Sequence, residues 1–247
     1  KTVDSQGSGG SNPSLSAISK LNQLLNMTYR TLVEAEQLAA HLDDPDWVTV
    51  DCRFDLHEPD SGGYAYAAQH IPGARYAHLE NDLSGRKRST SGRHPLPDPE
   101  ALADTLGRWG IGNDTQVVVY DDVKGAIAAR LWWLLRWLGH EAAAVLNGGL
   151  TAWQRAGLPL TNELSRVLAK RFDPRPDDAR WVDTRFIEER LGADSYRLID
   201  ARSAVRFRGE QEPFDPVAGH VPGALNRPFD RNLGPDDKFL PTAQLRA

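Results

Sequence analysis

Short apolar runs alternate with longer amphipathic segments along the chain, and this alternation predicts a mixed α/β fold. Buried strands are predicted at short, mainly apolar stretches, at residues 47–50, 116–120 and 142–146. Amphipathic helices are predicted where apolar residues recur at helical spacing, at residues 33–42, 98–106 and 126–138. Strands that alternate with helices form a parallel sheet with helices on both faces, which is the fold class that we expect.

A six-residue motif occurs twice and indicates an internal duplication. Gln69-His70-Ile71-Pro72-Gly73-Ala74 returns as Gly219-His220-Val221-Pro222-Gly223-Ala224. Each copy follows a strand that ends in an acidic residue, a small residue and an arginine, at residues 51–53 and 200–202. Nineteen positions separate Asp51 from His70, and 20 separate Asp200 from His220. The offset of 149 residues between the two copies is the size of a domain, so two related units are predicted.

The repeat divides the chain into four predicted segments. Residues 1–27 are interpreted as a flexible leader with a short amphipathic helix, and residues 28–160 as the first unit. Residues 161–180 are rich in proline, aspartate and arginine and are interpreted as a linker. Residues 181–247 are the start of the second unit, with a helix predicted at 182–191 and a strand at 197–199.

The composition gives no reason to expect nucleic acid or a membrane as a partner. The net charge is -5, 40% of the residues are hydrophobic, and no apolar run is long enough to span a bilayer. A single cysteine excludes an intrachain disulfide and is typical of a reducing compartment, so a cytoplasmic location is predicted. The seven histidines show no ligand spacing, and we predict neither a metal nor a cofactor.

The duplicated blocks, together with Asn147-Gly148-Gly149-Leu150 and Trp153, resemble the tandem rhodanese-type sulfurtransferases of bacteria. The resemblance covers residues 28–247 and implies two rhodanese-like domains, of which the first is inactive and the second catalytic. In that family a cysteine in a strand-to-helix loop takes sulfur from thiosulfate or 3-mercaptopyruvate. The sulfur is held as a persulfide and passed to cyanide, a small thiol or a thioredoxin-like acceptor.

The resemblance also implies an arginine that binds the anionic group of the donor. The matching position is Arg206, with Arg208 as a second candidate. A guanidinium suits this role because its planar set of N–H groups forms paired hydrogen bonds with a sulfonate or carboxylate. The alternative for either arginine is a solvated side chain in a loop.

The sequence contains no convincing nucleophile. Cys52 ends a buried strand beside Asp51, and an adjacent carboxylate opposes formation of the thiolate. The loop that corresponds to the family's cysteine loop lies at residues 120–126 and carries Asp121 and Asp122, which cannot form a persulfide. A nucleophilic aspartate is conceivable, but only Lys124 supports it. Adding the 149-residue offset to Asp121 gives position 270, so the catalytic loop is expected beyond Ala247 and no catalytic residue within the chain.

Three readings stay open at this point. The second unit is expected to be incomplete and inactive alone, so that either a second chain completes it or the polypeptide is a truncated form. A non-catalytic rhodanese-like scaffold is the main alternative, and a phosphatase-like use of the fold is a weaker one. A cysteine loop near position 270 would distinguish the enzyme from the scaffold.

Overall fold

The computed structural model describes residues 28–246, so the leader predicted at residues 1–27 lies outside the described residues. A parallel five-stranded sheet forms the centre of the first unit, in the order β1-β5-β4-β2-β3. The strands are β1 (Leu32–Val33), β2 (Trp47–Asp51), β3 (Arg75–Tyr76), β4 (Gln116–Tyr120) and β5 (Ala143–Leu146). The parallel α/β fold predicted from the alternating pattern is confirmed.

Helices cover both faces of this sheet. They are α1 (Ala35–Ala39), α2 (Ser61–Ala68), α3 (Pro99–Arg108), α4 (Ala128–Trp137) and α5 (Gly149–Arg155). Successive side chains of β4 point to opposite faces. Val117 and Val119 therefore pack with the core residues of α3 and α4, while Val118 and Tyr120 pack with those of α1 and α5. Because β4 is buried along its whole length, its sequence is apolar without alternation from Val117 to Tyr120.

Local signals explain where two of the helices begin. Helix α3 begins at Pro99 because the Asp98 carboxylate accepts the backbone N–H groups of the next turn. The helix predicted at 33–42 is wrong at its start, since Val33 lies in β1 and pairs in register with β5. Helix α1 begins only after Glu34, which forms a capping box with Gln37.

The second unit contains a two-stranded parallel sheet within the part of the chain that the structure describes. Its strands are β6 (Ile199–Asp200) and β7 (Leu225–Asn226), and its helices are α6 (Thr184–Glu188), α7 (Ala204–Phe207) and α8 (Thr242–Leu245). Short 3₁₀ helices lie at Asp178–Arg180 and Phe229–Asn232. The strand predicted at 197–199 begins two residues later, because pairing with β7 places β6 at Ile199–Asp200. The helix predicted at 182–191 is shorter than expected, at Thr184–Glu188. Ile199 and Leu225 are 59% and 55% exposed, so no described residue covers this sheet fully.

The segment interpreted as a linker packs along the first unit. Thr161 forms an antiparallel bridge with His70, and the Lys170 N–H donates to the Gly107 carbonyl at 3.0 Å. Phe172 is buried in the same core as α3 and α4. Residues 161–172 are therefore held against the first unit by backbone bonds and apolar burial, whereas the predicted domain boundaries themselves stay predictions.

Candidate functional site

The duplicated blocks form the same arginine–aspartate pair in both units. Arg53 binds the Asp51 carboxylate through Nε and Nη2, and its Nη2 also donates to the Gln69 carbonyl at 2.7 Å. Arg202 repeats this arrangement with Asp200, and its Nη2 donates to the Gly219 carbonyl at 2.6 Å. The guanidinium thereby joins the end of the strand to the residue just before the motif histidine, which explains the nearly equal spacing of the two copies.

The histidines of the two motif copies, His70 and His220, make the same contacts and stabilise the turn. His70 Nδ1 donates to the Tyr66 carbonyl at 2.7 Å, and its ring stacks on that of Tyr66. His220 Nδ1 donates to the Phe207 carbonyl at 2.7 Å and stacks on Phe207. Each imidazole is thus occupied in holding the Pro-Gly turn against the preceding helix, in agreement with a scaffold role for both residues.

Cys52 lies in the core of the first unit and is a poor nucleophile. Its side chain is fully buried, and its Sγ lies 3.9 Å from the Val50 carbonyl oxygen. Burial raises the pKa of the Cys52 thiol well above its usual value, and nearby carboxylates, first that of Asp51, raise it further. A buried neutral thiol does not attack a sulfur donor, because the thiolate is the reactive form and the donor cannot reach the buried sulfur.

The loop between β4 and α4 forms a ring of N–H groups that is filled by its own aspartate. Asp121 is fully buried and accepts four backbone hydrogen bonds, from Val123 and Gly125 to Oδ1 and from Ile127 and Ala128 to Oδ2. The four donor–acceptor distances lie between 2.8 and 3.0 Å. Burial raises the pKa of the Asp121 carboxyl, and the four N–H donors oppose that rise. Converging N–H groups of this kind attract anions, so the carboxylate takes the place of an external one.

Residues of the second unit contact this loop and the strand and helix ends beside it. Lys124 and Asp237 form an ion pair at 3.1 Å, and Lys238 reaches Glu34 at 2.7 Å. The Phe239 N–H donates to the Asn147 side chain at 2.9 Å. Lys124 and Asp237 both have left-handed backbone conformations, with φ of 66° and 65°, which are uncommon for residues with a side chain. A turn of the second unit thus contacts this loop at Lys124 and the neighbouring strand and helix ends at Asn147 and Glu34.

The two predicted donor-binding arginines occupy different surroundings. Arg206, in α7, binds the Glu212 carboxylate through Nε and Nη2, and its Nη2 also lies 3.1 Å from Asp215 Oδ2. The Arg206 guanidinium lowers the pKa of Glu212 to about 2. Arg208 is more exposed and pairs with Glu210 two residues away. The structure therefore brings Arg206 together with other charged side chains and leaves Arg208 at the surface.

Comparisons with known proteins agree with this geometry. The model of the rhodanese-like domain family matches residues 34–156. A probable 3-mercaptopyruvate sulfurtransferase of Pseudomonas aeruginosa is 50% identical over 221 residues, which is 89% of this chain and 78% of that protein. The chain belongs to the rhodanese family of sulfurtransferases. The resemblance inferred from the duplicated blocks is thereby confirmed.

Two further rhodaneses extend the match. A putative thiosulfate sulfurtransferase of Mycobacterium tuberculosis is 40% identical over 220 residues, covering 88% of this chain and 77% of that protein. A solved 3-mercaptopyruvate sulfurtransferase of Escherichia coli is 31% identical, with a TM-score of 0.77 over 88% of this chain and 82% of that chain. Both relatives span the two units rather than the first unit alone.

The structure adds residues of the first rhodanese unit that the sequence analysis missed. Arg93 Nη2 lies 3.4 Å from Asp215 Oδ1, and the Arg93 guanidinium lies 5.1 Å from the centre of the Phe214 ring. His57 also contacts Phe214, with its ring centre 4.7 Å from that of Phe214. Residues 85–94 form a basic run in the sequence, and Arg93 is its last arginine. The basic run was the only signal, and nothing in it indicated contact with the second unit.

His94, the neighbour of Arg93, adds a group that can accept a proton. Its Nε2 lies 3.5 Å from a carboxylate oxygen of Glu80, and its ring meets Phe54 edge-on. Partial burial lowers the pKa of His94, and the nearby carboxylate of Glu80 opposes this shift. The His94 side chain therefore contacts Glu80 and Phe54 of the first unit, while Arg93 beside it in the chain contacts the second unit.

Neither a bilayer-spanning helix nor a metal cluster occurs between residues 28 and 246. No helix in this range is long and apolar enough to cross a membrane. Nor does any group of three or more histidine, cysteine, aspartate or glutamate side chains there have the arrangement needed to hold a metal ion.

Proposed function

We propose that this protein moves sulfane sulfur from an anionic donor, thiosulfate or 3-mercaptopyruvate, to a thiophilic acceptor through a cysteine persulfide. The observation that carries the proposal is the 50% identity over 221 residues with a sulfurtransferase that is named for 3-mercaptopyruvate. The relative that is named for thiosulfate is 40% identical, so both donors stay candidates. The acceptor belongs to the class of cyanide, small thiols and thioredoxin-like proteins.

The reaction needs a thiolate that the described residues do not supply. With thiosulfate, the thiolate attacks the outer sulfur, the S–S bond of the donor breaks, and sulfite leaves with the bonding electron pair. The persulfide then gives its outer sulfur to the acceptor and restores the thiolate. Because Cys52 is buried and has a raised pKa, the expectation of a nucleophile beyond residue 247 stays part of the proposal.

Arg206 is the residue that we assign to the anionic group of the donor. Its guanidinium is oriented by the two oxygens of Glu212 and lies in a cluster of opposite charges rather than in bulk solvent. Arg208 forms its own exposed pair with Glu210, and an exposed pair of this kind contributes little. Arg206 therefore carries the assignment, while the role predicted for Arg208 has less structural support.

The test is sulfur transfer by the full-length protein. We expect thiocyanate from thiosulfate and cyanide, and without an acceptor a gain in protein mass equal to one sulfur atom. Arg206→Gln should greatly lower the turnover, whereas Arg208→Gln, two residues away, is the matched control. A polypeptide of residues 1–247 alone should form no thiocyanate.

If neither donor yields thiocyanate or a mass gain, the proposal is overturned and the non-catalytic scaffold is favoured. A cytoplasmic location stays a prediction, with which the free thiol of Cys52 is compatible.

A further inference from the structure

One carboxylate and one aromatic ring join cations from the two units. Asp215 Oδ2 lies 3.1 Å from Arg206 Nη2, and Asp215 Oδ1 lies 3.4 Å from Arg93 Nη2. The ring of Phe214 contacts the same two guanidiniums, with its centre 5.2 Å from Arg206 and 5.1 Å from Arg93. The position of the Asp215 carboxylate is thus an anion site with one cation from each unit.

The two acids beside Arg206 are held differently. Glu212 binds Arg206 through both oxygens and also accepts the backbone N–H groups of Phe214 and Asp215 through Oε1. The Asp215 carboxylate makes only the two contacts to arginines among the described residues, and this side chain is 38% exposed. Glu212 is therefore a fixed part of the cluster, while the Asp215 carboxylate can turn into solvent and leave its position to another anion.

We propose that the anionic group of the sulfur donor binds between Arg93 and Arg206, in the position that the Asp215 carboxylate occupies in this structure. This inference rests on the proposed function and names a donor-binding residue in the unit that is expected to be inactive. Two guanidiniums suit a carboxylate or sulfonate because each forms charge-assisted hydrogen bonds to its oxygens. Asp215 acts as an internal competitor that must be displaced before the donor binds.

The first test removes the cation of the first unit in the full-length protein. We expect Arg93→Gln to raise the KM for the donor about tenfold and to leave kcat unchanged, because one charged partner is lost while the thiolate is untouched. Arg93→Lys should restore part of the affinity, since it keeps the charge without the planar group. Lys87→Gln, which removes an exposed cation of the same loop, should leave KM unchanged.

The second test removes the competitor. Asp215→Asn keeps the shape of the side chain without its charge, so the donor no longer has to displace an anion. Its KM should fall by severalfold, because a binding site that was only partly available becomes fully available. A structural role for Asp215 in orienting Arg206 would instead raise KM.

The outcomes separate this inference from the proposed function. If the wild-type enzyme is active and the Arg93→Gln and Lys87→Gln variants have the same KM for the donor, the inference is overturned. The sulfurtransferase proposal then stands. A higher KM in Asp215→Asn would overturn the displacement of Asp215. Wild-type protein without sulfur transfer from any anionic donor would overturn both the inference and the proposed function.

Discussion

Replacing Asp121 by alanine should destabilise the first unit strongly, because it removes the acceptor for four backbone N–H groups at once. A buried donor without a partner costs about 1–3 kcal/mol, which sets an upper range of about 4–12 kcal/mol for four donors. Water that enters the vacated space will satisfy some of them. We therefore expect a loss of about 3–5 kcal/mol, the scale seen when one partner of a buried pair is removed.

The same substitution should create an anion site in the loop. With the carboxylate gone, the N–H groups of Val123, Gly125, Ile127 and Ala128 converge on an empty position at the start of α4. A small oxyanion that binds there stabilises the folded state, by about 2.7 kcal/mol at a concentration 100 times its Kd. Sulfate should therefore return much of the stability that the substitution removed.

Urea unfolding, followed by the fluorescence of the buried Trp137 and Trp153, measures both effects. Asp122→Ala is the matched control, because it removes an exposed carboxylate from the same loop. Sulfate stabilises most proteins in a general way, so the quantity to follow is the difference between the two variants as sulfate replaces chloride. Equal stability of the two variants, or an equal gain of both in sulfate, would refute the reasoning.

Three further outcomes follow from the described contacts. Arg53→Gln should cost about 3–5 kcal/mol in urea unfolding, because it leaves the Asp51 carboxylate buried without its cation; a loss below 1 kcal/mol, about the value of an exposed pair, would contradict this. Cys52→Ala should form thiocyanate at the wild-type rate in the full-length protein, and loss of turnover would return Cys52 to the candidates. The pKa of Glu212 is lowered from 4.5 to about 2 by Arg206, so its contribution to stability should be complete above pH 4.5 and lost toward pH 2. Acid unfolding of Glu212→Gln should lack that component, and identical acid profiles would rule it out.

Much of the fold was accessible from local patterns. The strand at Gln116–Tyr120 was predicted with its observed bounds, because the four consecutive strand-forming residues that follow Gln116 suit a position buried on both faces. The start of α1 was predicted wrongly, since pairing with β5 draws Val33 into the sheet. Periodicity indicates which residues prefer burial, but it does not indicate which strand or helix buries them.

The candidate site was accessible only in part. The resemblance identified the aspartate loop as the place that corresponds to the family's cysteine loop, and it also selected Arg206. It could not show that Asp121 fills the ring of N–H groups, because that depends on the backbone path of the loop. The contact of Arg93 with Asp215 was equally hidden, since 122 positions separate the two residues in the chain.

The sequence by itself predicted a duplicated α/β design, in which each copy has an aspartate and an arginine at a strand end and a Pro-Gly turn at nearly the same distance. Those features depend on periodicity, turn residues and spacing, which are properties of neighbours along the chain. Only the tertiary structure decided that the first loop is closed by its own carboxylate and that Arg93 and Arg206 share one anion position. The physical reason is that hydrogen bonds and ion pairs act over a few ångströms in space, so that the packing of the two units decides which charges meet.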